Sequence, residues 1–546
     1  MQREYFKNSF ATNVFRLKYS QGPSDDWGQL CERLVEDVCG TRWGTEHALM
    51  NQEDRADLVE FMKDQKFIAG GRYLYYAGRQ NHYFNNCFLL RAEEDTREEW
   101  ANVAHRSTSC LMTGGGIGID YSILRAAGKP IRRTGGVSSG PLSLMNMVNE
   151  IGRNVMQGGS RRSAIYASLN WLHEDIPDFL QAKNWSDDIK ALKNKDFNAA
   201  APLDMTNISV NYDDKWLYNA HRAELPTFVE NCRQAMMTGE PGFSFNFGDK
   251  QNETLRNACT EVTSEDDSDV CNLGSINISN VISLEEFEHI VELASKFLVC
   301  GTLRADLPYD KVYKVREKNR RLGLGLMGIH AWLLQRGQGY EVTPELHEWL
   351  KVYKNESERS ANEHCERLFI SKPVAYRAIA PTGSIGILAG TTTGIEPLFA
   401  VAYKRRYLTD GTKWKYEYVV DTTADQLIKE YGLDPNKIET AYGLSHDYEK
   451  RLKFQADIQD YVDMSISSTI NLPTWGTKDN NESKVAEFAT ILSTYAPRLR
   501  GFTCYPDGSR GGQPLTEVPY EEAIKHKGTV FEENIDRACV SGVCGI

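Results

Sequence analysis

Apolar residues recur at three- and four-residue spacing along EDRADLVEFMKDQKF, residues 53 to 67, which predicts an amphipathic helix ended by Gly70-Gly71. With the helical reading of the stretch before it, residues 1–70 form an N-terminal helical layer. The period then shortens: NCFLL, which holds Cys87, reads as a strand. PLSLMNMVNEIGRNVMQ returns to the helical period, with a methionine-rich face suited to core or subunit contact. From 163 to 250 short apolar runs (AIYASLNW, TNISVNY, GFSFNF) alternate with helical stretches, the pattern of an α/β protein. Ser283-Leu-Glu-Glu286 reads as a capping box opening a helix through Cys300. RRLGLGLMGIHAWLL leads into a further helix, and Thr343-Pro344 offers an N-cap and an N1 proline to a long charged one. QADIQDYVDMSISSTINLP reads as a helix followed by a strand.

Composition narrows the classes. The chain has 546 residues, 41% hydrophobic and 25% charged, ordinary for a globular protein of several domains or one large barrel. A net charge of −12 argues against a general nucleic-acid binder, while local arginines can still hold small anions. The N-terminus lacks a signal-peptide pattern and no apolar run reaches a membrane span, so the expected location is cytoplasmic, without membrane attachment. In that reducing setting the 12 cysteines are not a disulfide framework, and no paired CxxC clusters mark a zinc site.

Three windows carry candidate chemistry. NACTEVTSEDDSDVCNLGSIN, residues 257 to 277, sets Cys259 between Asn257 and Glu261, with Cys271 beyond an acidic run. Were this piece extended, Asn257, Cys259 and Glu261 would share one face and present an amide, a thiol and a carboxylate together. The competing reading is a surface loop with incidental cysteines. LMTGGGIGIDYSILRAAGKPIRRTGGVSSGP, from 111 to 141, sets a glycine run before Arg125, Lys129, Arg132 and Arg133, a candidate anion site. APTGSIGILAGTTTGIEPLFA, from 380 to 400, reads as a strand-to-helix turn whose hydroxyls and amides suit an anion, although it is not a Walker A loop.

In collinear order NCFLL, GGGIGID, QGGSRR, NxCxE, CNLGSIN, APTGSIG with GIEP, and TINLP resemble the catalytic subunit of ribonucleotide reductases, most closely the adenosylcobalamin-dependent class II form, over about residues 60–515. The resemblance implies a ten-stranded α/β barrel of two five-stranded halves with a central finger loop, over residues 71–515. It leaves 1–70 as the helical region and 516–546 as a flexible tail with a redox cysteine pair. It implies that Cys259 carries a thiyl radical that removes hydrogen from C3′ of a ribonucleotide. Glu261 would be the base toward the 3′-hydroxyl, and Asn257 would orient both. Cys87 and Cys271, 184 positions apart, would be the reducing pair, and Cys539 with Cys544 the C-terminal shuttle toward a thioredoxin- or glutaredoxin-like reductant.

Thr382, Gly383, Ser384 and Ile385 match the substrate phosphate turn. Asp95, Arg125, Gln157 and Arg161 match positions for a dNTP or ATP effector that sets specificity. A homodimer is implied, with diphosphate substrates and no metal beyond the cobalt of cobalamin. Thr503-Cys504-Tyr505-Pro506 puts a cysteine where class I subunits carry the first of two adjacent tyrosines, which disfavours radical transfer from a second subunit. RACVSGVCGI lacks the terminal motif of glycyl-radical reductases. Two departures stand out. The family reads NPCGE, whereas Ala258 and Thr260 replace the proline and glycine here. The N-terminus also lacks a recognisable ATP-cone. The rival readings are a class I-like subunit that needs a separate radical generator, and an inactive nucleotide-binding homologue.

Overall fold

A computed structural model of the chain describes residues 4–41, 47–132, 135–155, 163–196, 199–409, 413–509, 515–526 and 530–533. Its strands are β1 (Phe67–Ala69), β2 (Cys87–Arg91), β3 (Gly116–Asp120), β4 (Ile165–Asn170), β5 (Thr206–Tyr212), β6 (Gly242–Phe245), β7 (Leu255–Arg256) and β8 (Thr263–Ser264). Then follow β9 (Asp269–Asn277), β10 (Leu322–Met327), β11 (Ala402–Thr409), β12 (Lys413–Val420), β13 (Thr469–Leu472), β14 (Gly501–Pro506), β15 (Leu515–Glu517) and β16 (Val530–Glu533).

A mixed ten-stranded sheet organises the molecule, in the order β1-β9-β2-β3-β4-β5-β6-β14-β13, with β10 added to β9. β2 through β6 form one parallel block. β9 with β10 and β13 with β14 are parallel pairs that meet this block antiparallel, at β2 and β6. Isolated parallel bridges, Leu324 to Arg377 and Ile379 to Ile466, continue outward from β10. All nine residues of β9 are buried, as expected of a strand covered on both faces.

Helices clothe this sheet. The N-terminal layer consists of Ser9–Lys18, Trp27–Cys39 and Gln52–Lys63, the last on the expected amphipathic run. Asp26 and Gln29 form a true capping box for the second of these. Ser283 caps the helix Leu284–Arg304 by accepting from Glu286 N–H. The box expected there is shifted, because the Glu286 carboxylate accepts from Ile282 N–H instead, at 2.9 Å. Thr343 caps Pro344–Arg367 as the sequence implies. No helix among the described residues is long and apolar enough to cross a membrane.

Apart from the main core lies a small apolar cluster: Cys87, Leu89, Leu255, Val262, Cys271, Leu273, Ala375, Ala378, Ala380 and Met464. It gathers β2, the β7–β8 hairpin, β9 and the segments near 375–380 and 464. A separate antiparallel sheet, β15-β11-β12-β16, was not foreseen from the sequence. Its outer strands, and the helix Tyr520–Lys525, lie largely in the stretch expected to be tail.

Candidate active site

Between β6 and β9 the chain leaves the large sheet and comes back as the β7–β8 hairpin, paired Leu255 to Ser264 and Arg256 to Thr263. The hairpin lies over β2 and β3. Glycine in β3 permits that approach. A Cβ at Gly118 would stand 1.6 Å from the Arg256 carbonyl oxygen, and one at Gly116 would stand 3.3 Å from the Ala258 Cβ. Gly116 and Gly118 therefore admit the chain's own hairpin. The base of the hairpin is braced by Glu253. It accepts from Thr263 Oγ1 at 2.7 Å and from the Arg500 guanidinium at 2.9 Å. Burial opposes ionisation of Glu253, yet Arg500, Arg321 and Lys250 hold it down to about 2.

The tip is a turn, closed by Thr260 N–H donating to the Asn257 carbonyl at 3.0 Å. Thr260 sits at φ +70°, the left-handed region that disfavours β-branched residues. The expected extended trio is thus corrected, because alternation ends where the turn begins. Asn257 and Glu261 are each 1% exposed, whereas Cys259 is exposed. Ala258 is buried against β3.

The turn still gathers the chemistry. Asn257 Nδ2 donates to the Cys87 thiol at 3.0 Å, and Asn257 Oδ1 accepts from Val262 N–H at 3.0 Å. The Cys87 thiol lies 3.9 Å from Glu261 Oε1. Glu261 Oε2 is buried with no hydrogen-bond partner among the described residues. Burial raises Glu261 to about 7, with the Asn257 amide, its own N–H and Cys87 pulling the other way. Cys87 and Cys271 face one another across the antiparallel β2–β9 pair. Residues opposite in such a pair have Cβ atoms about 4.5–5.5 Å apart, near enough for a disulfide after small adjustment. Burial first, then nearby acids, raise both thiols, so each favours its protonated form.

The acidic run between the two cysteines is no solvated loop. Asp267 and Asp269 are buried. Asp267 pairs with Lys311 at 2.8 Å, Asp269 with Arg321 at 2.6 Å, and Asp266 with Lys318 at 2.9 Å. Their partners are distant in sequence, so no local pattern could reveal them.

The phosphate-turn residues follow Ala380 of the small apolar cluster. Thr382, at φ +51°, precedes the short helix Gly383–Ala389 and accepts from Gly394 N–H at 2.9 Å. Lys18, from the first helix, donates to Ser384 Oγ at 3.2 Å. Thr382 and Ile385 are buried, while Gly383 is exposed. Farther away, Asp95, Arg125, Lys129 and Arg132 line an open cavity of about 840 Å³, with Asp95 Oδ2 2.6 Å from Arg125 Nε. Gln157, Arg161, Arg133, Cys539 and Cys544 lie outside the described residues. Sequence reasoning missed Gly118, Glu253 and Arg500; only the i, i+2 glycines of GGGIGID carried a signal.

A family described as the ribonucleotide reductase barrel domain matches residues 85–222, 228–349 and 374–505, well over half of the chain. A vitamin B12-dependent ribonucleoside-diphosphate reductase of Mycobacterium tuberculosis is 25% identical, over 95% of this chain and 82% of its own length. One of that name from Thermoplasma acidophilum is 26% identical, over 89% of this chain and 71% of its own length. A protein of Mycobacterium phage D29, named for adenosylcobalamin-dependent ribonucleoside-triphosphate reduction, is 26% identical, over 83% and 75%.

Proposed function

The chain belongs to the ribonucleotide reductase family, and on that premise we propose that it reduces ribonucleoside diphosphates with adenosylcobalamin as radical source, without a second radical-generating subunit. The carrying observation is the convergence of Asn257, Glu261 and Cys87, with Cys271 opposite and Cys259 at the hairpin tip. Among the described residues Cys259 is the one exposed thiol. That openness fits a bulky group arriving from outside. When bound, adenosylcobalamin supplies a carbon radical by homolysis of its cobalt–carbon bond. Cys504 is buried and donates to the Ala235 carbonyl at 3.4 Å, which leaves no tyrosine at the first position of the class I pair.

The geometry supports the following roles. Cys259, as thiyl, takes hydrogen from C3′. Glu261, its Oε2 without a partner among the described residues, accepts the proton of the 3′-hydroxyl, and its value near 7 suits transfer in both directions. The 2′-hydroxyl leaves as water with a proton from the thiol pair. Cys87 and Cys271 give two electrons and close a disulfide, and return of hydrogen to C3′ restores the Cys259 thiyl. The sum is ribonucleotide plus dithiol giving deoxyribonucleotide, disulfide and water.

Thr382 to Ile385 hold the substrate phosphates in this reading. The Asp95–Arg125 cavity takes a nucleotide effector, its volume being in the usual range for such ligands. A homodimer with effector at its interface is supported by exposed Met112, Ile123, Val137 and Met147 around that cavity's flanking elements. Gln157 and Arg161 would join effector to substrate, and Cys539 with Cys544 would carry electrons from a thioredoxin-like protein. Closure of the large sheet into a ten-stranded barrel is supported by the bridges running from β10 through Arg377 and Ile379 to Ile466, three residues before β13. The names of relatives favour diphosphates two to one among the three described.

The test is anaerobic turnover of CDP and CTP with adenosylcobalamin and a dithiol, with no other protein. Deoxycytidine diphosphate is expected. Product that forms only after a metal-loaded partner subunit is added would overturn the proposal, and faster turnover of CTP would reassign the substrate.

A further inference from the structure

The reaction leaves a second group of thiols unused. Cys39 ends the helix Trp27–Cys39, and Cys300 lies in the last turns of Leu284–Arg304, which packs against it. Arg304, one turn beyond Cys300, donates to the carbonyl of Gly40 at 2.8 Å, which fixes the two helix ends side by side. That bond and the packing of the two helices make Cys39 and Cys300 neighbours, and both are fully buried.

Cys300 has a further partner. Its sulfur lies 3.3 Å from His364 Nε2, in the helix Pro344–Arg367. Arg367 approaches the other ring nitrogen, Nδ1, at 3.0 Å. Arginine is always a donor, so Nδ1 must accept and the ring proton resides on Nε2. The imidazole therefore donates to Cys300. A ring N–H aimed at this sulfur favours its thiolate. Burial works against ionisation of Cys300, but Cys39, His364 and Arg304 outweigh it and bring it below its ordinary value. Cys39 moves the opposite way, through burial first and then the nearness of Cys300. One thiol is thus poised as nucleophile and its neighbour holds the proton.

We propose that Cys39 and Cys300 form a second dithiol–disulfide centre, oxidised by peroxide, with Cys300 as the attacking thiol and Cys39 as the resolving one. Cys300 thiolate displaces hydroxide from hydrogen peroxide and becomes a sulfenic acid. Cys39 then attacks that sulfur, a disulfide forms, and water leaves. Two electrons pass from the thiols to the peroxide. Access comes through the end of the helix Trp27–Cys39, since Thr41, two residues on, is exposed and terminal turns open most readily. The centre stands behind β9, on the face opposite the Cys87–Cys271 pair. Asn272, next to Cys271, donates to the Tyr73 hydroxyl at 2.6 Å and to the Leu298 carbonyl at 2.8 Å. Gly301, next to Cys300, lies close against that same hydroxyl. The disulfide would clamp the N-terminal layer onto this contact when peroxide outruns the reductant.

The test is peroxide treatment of the reduced full-length protein, alkylation after unfolding, and mass spectrometry of the peptides. A Cys39–Cys300 cross-linked peptide is expected, and equally in Cys87→Ser, which cannot form the active-site disulfide. His364→Gln should slow its formation by about three- to tenfold, because the thiolate fraction falls further than its nucleophilicity rises. Should that variant not fold, Arg367→Ala, on the exposed outer side of the ring, reads the same polarisation. Full alkylation of Cys39 and Cys300 under peroxide that oxidises Cys87 and Cys271 would overturn the proposal. So would a Cys300–Cys365 cross-link, or wild-type rates in the His364 and Arg367 variants.

Discussion

Glu261 and Asp95 are carboxylates in opposite circumstances. Glu261 is buried at a hairpin turn, with a thiol and an amide as neighbours and one oxygen without a partner among the described residues. Asp95 stands at an open cavity with the Arg125 guanidinium against it. A carboxylate kept from water and from cations is raised toward neutrality and can exchange a proton with a hydroxyl. One already bonded to arginine can only help to recognise something. In the proposed function, chemistry and recognition are separated by how completely each acid is neutralised.

Four changes would break or sharpen that contrast. Cys259→Ala should abolish multiple turnover, read as deoxynucleotide formed per site. Its stability should change by no more than about 0.5 kcal/mol, as for exposed positions generally. Retained turnover would remove the hairpin from the chemistry. Glu261→Gln should lower kcat by about 10²- to 10⁴-fold, the range for loss of a positioned base. Wild-type kcat should rise as pH passes through about 7, where Glu261 loses its proton, and the variant should lack that limb.

Stability should move the other way. A folded value raised from 4.5 to about 7 means that the native state holds the proton more tightly. Native stability from this group is therefore complete below the unfolded value and is lost as pH rises toward 7, by up to about 3 kcal/mol. Glu261→Gln should thus gain more in urea midpoint, relative to wild type, at pH 8 than at pH 5. Arg125→Ala should raise the effector concentration needed for half-response by about tenfold or more, from loss of a charge-assisted hydrogen bond. An unchanged response would take Asp95 and Arg125 out of recognition. The smallest effect belongs to Thr260→Gly, which should stabilise the fold by about 1 kcal/mol by relieving the left-handed threonine, measured by urea unfolding.

Strands at Cys87, Ile165, Thr206 and Gly242 were legible because buried parallel strands are written as short apolar runs. The caps at Ser283 and Thr343 were legible because they are local. The turn at Asn257–Thr260 was not, since a threonine at φ +70° gives no sequence cue and glycine would have. Nor was the burial of Asp267 and Asp269, whose cations come from the 311–321 region. The sheet built on β11 and β12 escaped notice because its outer strands lie about a hundred residues further along the chain. What sequence periodicity reports is which face is buried, and the site depends on what that face meets.

The β2–β9 pairing also sets a standard of folding fidelity. Cys87 is opposite Cys271 only in one register, with Phe88 opposite Val270 and Leu89 opposite Asp269. A slip of one residue would turn Cys271 to the far side of the sheet and offer Asn272 or Val270 in its place. Such a chain would keep most of its secondary structure and dissolve like its neighbours, yet hold no closable dithiol. In the proposed reaction, a reduced chain that keeps this dithiol as its only electron source delivers two electrons to substrate, and any shortfall counts misregistered molecules.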